Sequence, residues 1–277
     1  YLHPLMEPAL SETLGVILFQ EQVLKVVRDV AGFTPGQGEL LRRALGAKYA
    51  TEKIEKFRAD FLAGAAANGV TADVAEDVFQ RLLAFGGYSF AKSHASAFAV
   101  LVYQSGWLKK YHPRAFYTAL LNNQPMGFWN AAIIVNELRR QAIPVLPVDI
   151  HQSRARCSIE ADGIRLGLNY VKHLAEEHID AILGARADRP FTSLIDFCRR
   201  TRIARKVIEN LIMSGGMDTW GVPRRQLVWE LGTLHYQKGG FDLVIDHDPV
   251  SLPALSSVEA MLGEQSVMGL SPGDHVM

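Results

Sequence analysis

"LGVILFQEQVLKVVRDVAG", residues 14–32, sets the fold class. Apolar residues recur at spacings of three and four, and the run stops at Gly32, which is the pattern of an amphipathic helix with a glycine stop. The same design repeats downstream. "TPGQGELLRRALG", residues 34–46, offers Thr34 as a cap, Pro35 for the first helical position, Gln37 to complete a capping box and Gly46 as the end. "TEKIEKFRADFLAGAAANG" (51–69) and "TADVAEDVFQRLLAFGG" (71–87) each read as one further capped, glycine-terminated helix. The chain to about Asn122 is therefore predicted to be a helical domain.

Beyond that point the composition changes. "NNQPMGFWN" (122–130) reads as a loop, Ala131 to Gln141 as a helix, and "IPVLPVDIHQS" (143–153) as an extended connector punctuated by proline. In "ARCSIEADGIRLGLNYV" (155–171), Asp162-Gly163 stands between two short alternating segments, a strong hairpin signal. Two short helices are expected near 175–183 and 191–200. A third, in "RKVIENLIMSGGMDTWG" (205–221), ends at a double glycine. The expected fold is mainly α: a helical domain over 1–122, a connector, β-hairpin and short helices over 123–238, and an acidic segment over 239–277.

Composition bounds the function. A chain of 277 residues accommodates two domains, and 48% hydrophobic with 21% charged residues is ordinary globular content without a run suited to a bilayer. The sequence starts at Tyr1 with neither a start methionine nor a signal-like segment, and reads as a portion of a longer, cytoplasmic protein. Cys157 and Cys198 lie far apart and outside metal-ligand spacing, which fits buried thiols in a reducing compartment. The net charge of zero is a cancellation. "RRTRIARK" (199–206) carries Arg199, Arg200, Arg202, Arg205 and Lys206 without an acid, whereas from Phe241 onward Asp242, Asp246, Asp248, Glu259, Glu264 and Asp274 stand without lysine or arginine. The basic octet fits a polyanion-facing surface and a solvated helix face equally well.

Two motifs carry phosphate chemistry. Arg42 and Arg43, with Lys48 just past the glycine stop, place planar forks that bind phosphate oxygens in pairs, although alone they fit solvated arginines beside a stripe of Leu40, Leu41, Ala44 and Leu45. "GGYSFAKSHASAFAVLVYQSGWLKKYHP", residues 86–113, is more specific. As a helix from Lys92 it sets Lys92, Ser96, Tyr103 and Lys110 on one side and Phe98, Leu101, Val102 and Leu108 on another, the latter expected to pack on the helical domain. Lys92, Ser93 and His94 in its first turn add donors to free amide groups and the positive dipole end, which makes a phosphate site in physical terms. The spacing of a Walker motif is missing.

"GVILFQEQVLKVV", "AGFTPGQGELLRRALGAK", "FGGYSFAKSHASAFAVLVYQSGWLKKYHP", "VLPVDIHQS", "IRLGLNYVK" and "LIMSGGMD", in this order, resemble the bacterial DNA polymerase III alpha subunit, the C family of DNA polymerases. "FGGYSF" and "QPMGFW" resemble the error-prone, damage-inducible members. The resemblance implies fingers over 1–122, a tandem helix-hairpin-helix DNA-binding region over 123–238, and a linker over 239–277 that leads toward an OB domain. It implies that Arg42, Arg43, Lys48, Lys92, Ser93 and His94 bind the triphosphate of an incoming dNTP. Lys109, Lys110, Arg199, Arg200, Arg202, Gly215 and Gly216 would contact DNA, chiefly at the second hairpin, because "KHLAEEH" (172–178) replaces the glycine-rich turn of the first. No catalytic or metal-binding residue is expected here. Magnesium would be held by palm aspartates outside this sequence, and Asp246-His247-Asp248 reads as a solvated linker. Primed template DNA and dNTP are the implied substrates, with a sliding clamp and damage-tolerance accessory proteins as further partners and no membrane. A non-catalytic DNA-binding module and a helical protein-interaction scaffold are the alternatives.

Overall fold

The computed structural model describes residues 1–86, 90–234 and 252–273. The chain forms two compact units, Tyr1–Gln104 and Ser105–Met277. Among the described residues there are fourteen α-helices and one small three-stranded sheet.

The first unit is helical throughout. A 3-10 turn, Pro4–Met6, leads into α1 (Glu7–Leu10), a second 3-10 turn, Ser11–Thr13, and then α2 (Gln20–Ala31), α3 (Pro35–Leu45), α4 (Ala50–Glu55), α5 (Arg58–Ala67) and α6 (Ala72–Phe85). Val23, Val26, Val27 and Val30 of α2 meet Leu41, Leu45, Ile54, Phe61, Phe79 and Leu82 in one buried cluster. Each of these larger side chains contributes about 1.5–3 kcal/mol by leaving water. The caps follow the sequence pattern: Gln37 Oε1 accepts from Thr34 N–H at 3.0 Å, and Gly32 closes α2 in the left-handed region at φ 65°. Gly64 is required by packing, because a Cβ there would lie 1.9 Å from the Ala31 carbonyl oxygen at the end of α2.

Three local expectations change. The stretch 51–69 is two helices, α4 and α5, because the Phe57 N–H turns back to the Ile54 carbonyl at 2.9 Å; Thr51 lies inside α4, which Tyr49 enters at φ 63°. Leu40 faces outward while Leu41, Ala44 and Leu45 are buried. In α7 (Lys92–Tyr111) no residue is buried, and Leu101 and Val102 remain 55% and 68% exposed. Its apolar side chains are spread around the helix rather than gathered in the single stripe that packing on the first unit would need.

The second unit begins with the end of α7, followed by α8 (Pro113–Asn122) and α9 (Ala131–Arg140). Although 122 was the expected boundary, Tyr117 and Leu121 of α8 enter the second core. Strands β1 (Val145–Leu146), β2 (Ser158–Ile159) and β3 (Ile164–Arg165) form a sheet in the order β1-β3-β2. The expected hairpin is β2–β3, paired Ser158 with Arg165 and Ile159 with Ile164, while the proline-punctuated connector supplies β1 parallel to β3. Then come α10 (Glu176–Asp188), α11 (Leu194–Thr201), α12 (Arg205–Met213), α13 (Arg224–Thr233) and α14 (Ser257–Met268). The sequence from Ser257 is a packed helix rather than a free acidic linker: Val267 and Met268 join the core, and Glu264 lies 2.9 Å from Arg224. Asp242, Asp274 and the Asp246-His247-Asp248 triplet lie outside the described residues. No helix among the described residues is long and apolar enough to cross a membrane.

Candidate functional site

A buried glutamine organises the surroundings of Lys92. Gln22, 2% exposed, donates to Thr13 Oγ1 at 2.7 Å and accepts from the Leu18 and Phe19 amides at 2.9 and 3.1 Å, so its polar atoms are satisfied inside the unit. Glu21 precedes Gln22 in the chain, and Glu12 precedes Thr13. Phe19 meets Phe90 edge to face at 5.8 Å, and the Gln20 amide donates to the Phe90 carbonyl at 3.1 Å, which docks the entry of α7 against the start of α2. The Lys92 amide then donates to the Glu21 carboxylate at 3.0 and 3.2 Å, and its ammonium donates to Glu12 Oε2. That hydrogen bond holds the Glu12 carboxyl below its usual range. Ser93 and His94 are exposed on the next positions, with the His94 ring 4.6 Å from Phe98. Gly87, quoted in the sequence pattern, lies outside the described residues.

A second cluster sits on α3. Glu39 accepts from Arg42 Nε at 2.7 Å and Arg43 Nε at 3.0 Å, at the i+3 and i+4 spacings that helix geometry brings together. The two guanidiniums, Arg42 first, draw the Glu39 carboxyl down to about 2. Lys48 is exposed beyond the helix end, with its ammonium 5.4 Å from the Tyr49 ring.

In the second unit the expected DNA contacts divide. Lys109 lies 3.4 Å from Glu137 and near the Tyr117 ring, whose hydroxyl is the main cause of its raised pKa; Lys110 is exposed beside Tyr111. Arg199 and Arg202 are exposed, and Arg202, at φ 54°, ends α11 by donating its amide to Cys198. Arg200 points inward. It donates to the Arg189 carbonyl at 2.8 Å, the Pro190 carbonyl at 3.3 Å, Asp196 Oδ2 at 3.2 Å and the Ala185 carbonyl, and covers the Phe191 ring at 4.7 Å.

Gly215 and Gly216 are buried too. Their amides bond the Ile212 and Leu211 carbonyls, each at 3.0 Å, which closes α12 instead of offering donors to a phosphate. Gly215, at φ 84°, leaves room for Arg224, whose guanidinium a Cβ there would approach to 2.5 Å. The exposed turn is the first hairpin. Lys172 and His173 are exposed, His173 at φ 66°, and Lys172 donates its amide to the Val267 carbonyl at 2.8 Å and its ammonium to the Ser266 carbonyl at 2.5 Å. Arg154 and Arg156 are also exposed, on a segment that accepts from the Leu168 and Asn169 amides at 2.9 and 3.0 Å. The alternation in "SRAR" was their only signal in the sequence.

Among the described residues no three His, Cys, Asp or Glu side chains form a group able to hold a metal ion, so these residues do not fit a magnesium centre.

Comparison with known proteins finds matches along the chain. A model of the bacterial DNA polymerase III alpha subunit finger domain matches residues 1–69, and a helix-hairpin-helix motif model matches residues 142–227. The chain is 36% identical to an error-prone DNA polymerase of Corynebacterium diphtheriae over 100% of its own length and 26% of that protein's. It is 38% identical to one from Bordetella parapertussis, covering 99% of this chain and 27% of the relative, and 39% identical to one from Anaeromyxobacter sp. (strain K), covering 100% and 26%. The chain thus spans about a quarter of the length of the curated relatives it matches. The chain thus carries a match to the finger domain of bacterial DNA polymerase III alpha subunits and one to a helix-hairpin-helix motif, and it is similar along its whole length to error-prone DNA polymerases.

Proposed function

We propose that the chain supplies the incoming-nucleotide and DNA-backbone contacts of an error-prone, template-directed DNA polymerase that works in the cytoplasm in damage tolerance. The observation that carries this reading is the end-to-end similarity to error-prone DNA polymerases at 36–39% identity, together with matches to the finger and helix-hairpin-helix models. Primed template DNA and dNTP are its substrates, and a sliding clamp and accessory proteins of damage tolerance are its partners.

Arg42, Arg43, Lys48, Lys92, Ser93 and His94 hold the triphosphate. As a primer hydroxyl attacks the α-phosphate, negative charge grows on the departing pyrophosphate, and cations already in place stabilise it without reorganisation. Activation of the hydroxyl, and the magnesium that this chemistry uses, belong to carboxylates outside the described residues. DNA backbone contacts fall to Lys109, Lys110, Arg199 and Arg202 and to the exposed first hairpin at Lys172 and His173. Arg200, Gly215 and Gly216 serve as the frame that holds the motif.

The test uses a polymerase of the relatives' length. Arg43→Ala or Lys92→Ala should raise the KM for dNTP or lower kcat while leaving the affinity for primed DNA unchanged. A loss of DNA binding with intact nucleotide kinetics would assign these residues to the wrong ligand. The 277-residue chain alone should not extend a primer, and robust extension by it would overturn the division of labour.

A further inference from the structure

The cations of the α7 entry are already engaged. Arg42 and Arg43 meet Glu39 through ordinary helix spacing, but the acids at Lys92 come from far away in sequence: Glu21 is 71 residues distant and Glu12 is 80. Only the tertiary fold brings them there. Glu21 sets both carboxylate oxygens on the Lys92 amide, and Glu12 takes the ammonium of the same residue. A carboxylate and a phosphate present the same thing to such donors, a pair of anionic oxygens. The backbone under both glutamates is held by the buried Gln22 knot, which Glu12 adjoins through Thr13 and Glu21 through Gln22 itself. Lys25 adds to the positive surroundings of Glu12, which it helps to keep ionised.

We propose that Glu12 and Glu21 are built-in competitors of the triphosphate. Each occupies a donor that a nucleotide phosphate takes, and each must give that donor up when the nucleotide enters. The two residues therefore set nucleotide affinity without touching the reacting atoms, and they act through Lys92. This rests on Lys92 being a triphosphate ligand. Both carboxylates are at the surface, where water weakens the Glu12 ion pair and the Glu21 hydrogen bond to the Lys92 amide, so removing either charge should tighten binding by about threefold to fivefold. The effect should be confined to anionic ligands. A polyphosphate, which competes for these donors, gains affinity when either charge is removed. A nucleoside lacking phosphates gains none.

Binding of inorganic tripolyphosphate and of a dNTP to the 277-residue chain, measured by calorimetry at fixed salt, tests the idea with Glu12→Gln, Glu21→Gln and Lys92→Ala. The expected result is tighter binding for both glutamine variants, weaker binding for Lys92→Ala, and no gain from Glu12→Gln once Lys92 is alanine. Unchanged or weaker binding in both glutamine variants, with Lys92→Ala still weakened, overturns the competitor role and leaves the nucleotide reading intact. Binding that is indifferent to Lys92→Ala overturns the nucleotide reading itself. Circular dichroism of each variant separates loss of fold from loss of site, and if Glu21→Gln unfolds the entry of α7, Glu12→Gln alone decides.

Discussion

Arg200 and Arg202 stand two residues apart in the same basic octet and should respond to truncation in opposite ways. The Arg200 side chain is 15% exposed and donates to the carbonyls of Arg189 at 2.8 Å and Pro190 at 3.3 Å, to that of Ala185, and to Asp196 at 3.2 Å, while its guanidinium covers Phe191 at 4.7 Å. Each hydrogen bond is worth about 1 kcal/mol net, and the contact with the ring about 0.5–1 kcal/mol. Some of the abandoned carbonyls regain water, so Arg200→Ala should cost about 3 kcal/mol, a large share of the roughly 5–15 kcal/mol that holds a typical domain. Arg202 is exposed, and alanine at its positive φ is no worse than arginine, so Arg202→Ala should stay within about 0.5 kcal/mol. Urea denaturation followed by far-ultraviolet circular dichroism reads the first quantity. Anisotropy of labelled primed DNA across a salt series reads the second: log K against log salt should flatten by about 0.9 for Arg202→Ala and keep its slope for folded Arg200→Ala. A stable Arg200→Ala with a reduced slope would refute the inward assignment.

Three other perturbations follow from specific contacts. Gly64→Ala forces a methyl group to 1.9 Å from the Ala31 carbonyl oxygen and should destabilise the first unit by about 1–3 kcal/mol in the same denaturation assay. The Glu39 carboxyl, drawn from 4.5 to about 2 by Arg42 and Arg43, should titrate near that value by side-chain NMR and return toward 4.5 in an Arg42→Gln, Arg43→Gln double variant. Because the folded value is the lower one, its stabilising contribution is fully present above about 4.5 and is lost as pH falls toward 2; a rise in stability over that window would contradict the pairing. The Cys157 thiol, buried and pushed up to about 11, should resist a disulfide reagent at pH 8 until urea unfolds the second unit, and fast labelling of native protein would show an open site.

Much of the frame was legible because its determinants are local. The apolar spacing of α2, the Thr34–Gln37 box and the Asp162-Gly163 turn each act within a few residues and are legible, although the helix read over 14–32 starts only at Gln20, with Leu14 and Gly15 turning at φ 54° and 89°. The break between α4 and α5 was hidden because 51–69 keeps helical apolar spacing across Phe57, and the turn there depends on how Ile54 and Phe61 enter the core. The triphosphate candidates were legible as residue types, but their present partners were not. Glu39 is inferable from helix spacing, whereas Glu12 and Glu21 reach Lys92 only through the Gln22 knot and the Phe19–Phe90 contact. The double glycine is ambiguous in the sequence for a related reason: glycine both permits close approach of a ligand and stops a helix, and it is the contacts with Leu211, Ile212 and Arg224 that show the helix stop.

The same ambiguity governs the arginines, and it has a numerical consequence for DNA binding. A guanidinium has five donors and no acceptor, so it serves equally to bind phosphate from outside and to gather stray carbonyls from within. Among the described residues of the second unit, Arg165, Arg186, Arg200 and Arg224 are examples of the inner role. Arg165 bonds Glu160, Gln152 and the Pro147 carbonyl; Arg186 bonds the Ile150 and Ser153 carbonyls; Arg200 ties the end of α10 to α11; Arg224 ties α13 to Glu264 of α14. Burial is the chief cause that lowers the Arg186 pKa, as expected of a cation spent on the interior. These four release no counterion when DNA binds, so the salt slope of the second unit should be smaller than its arginine count implies, by about 0.9 for each inward guanidinium. A slope equal to the full basic count would mean that the helices holding Arg186 and Arg200 open on DNA, and then binding should carry the heat-capacity change of a refolding segment.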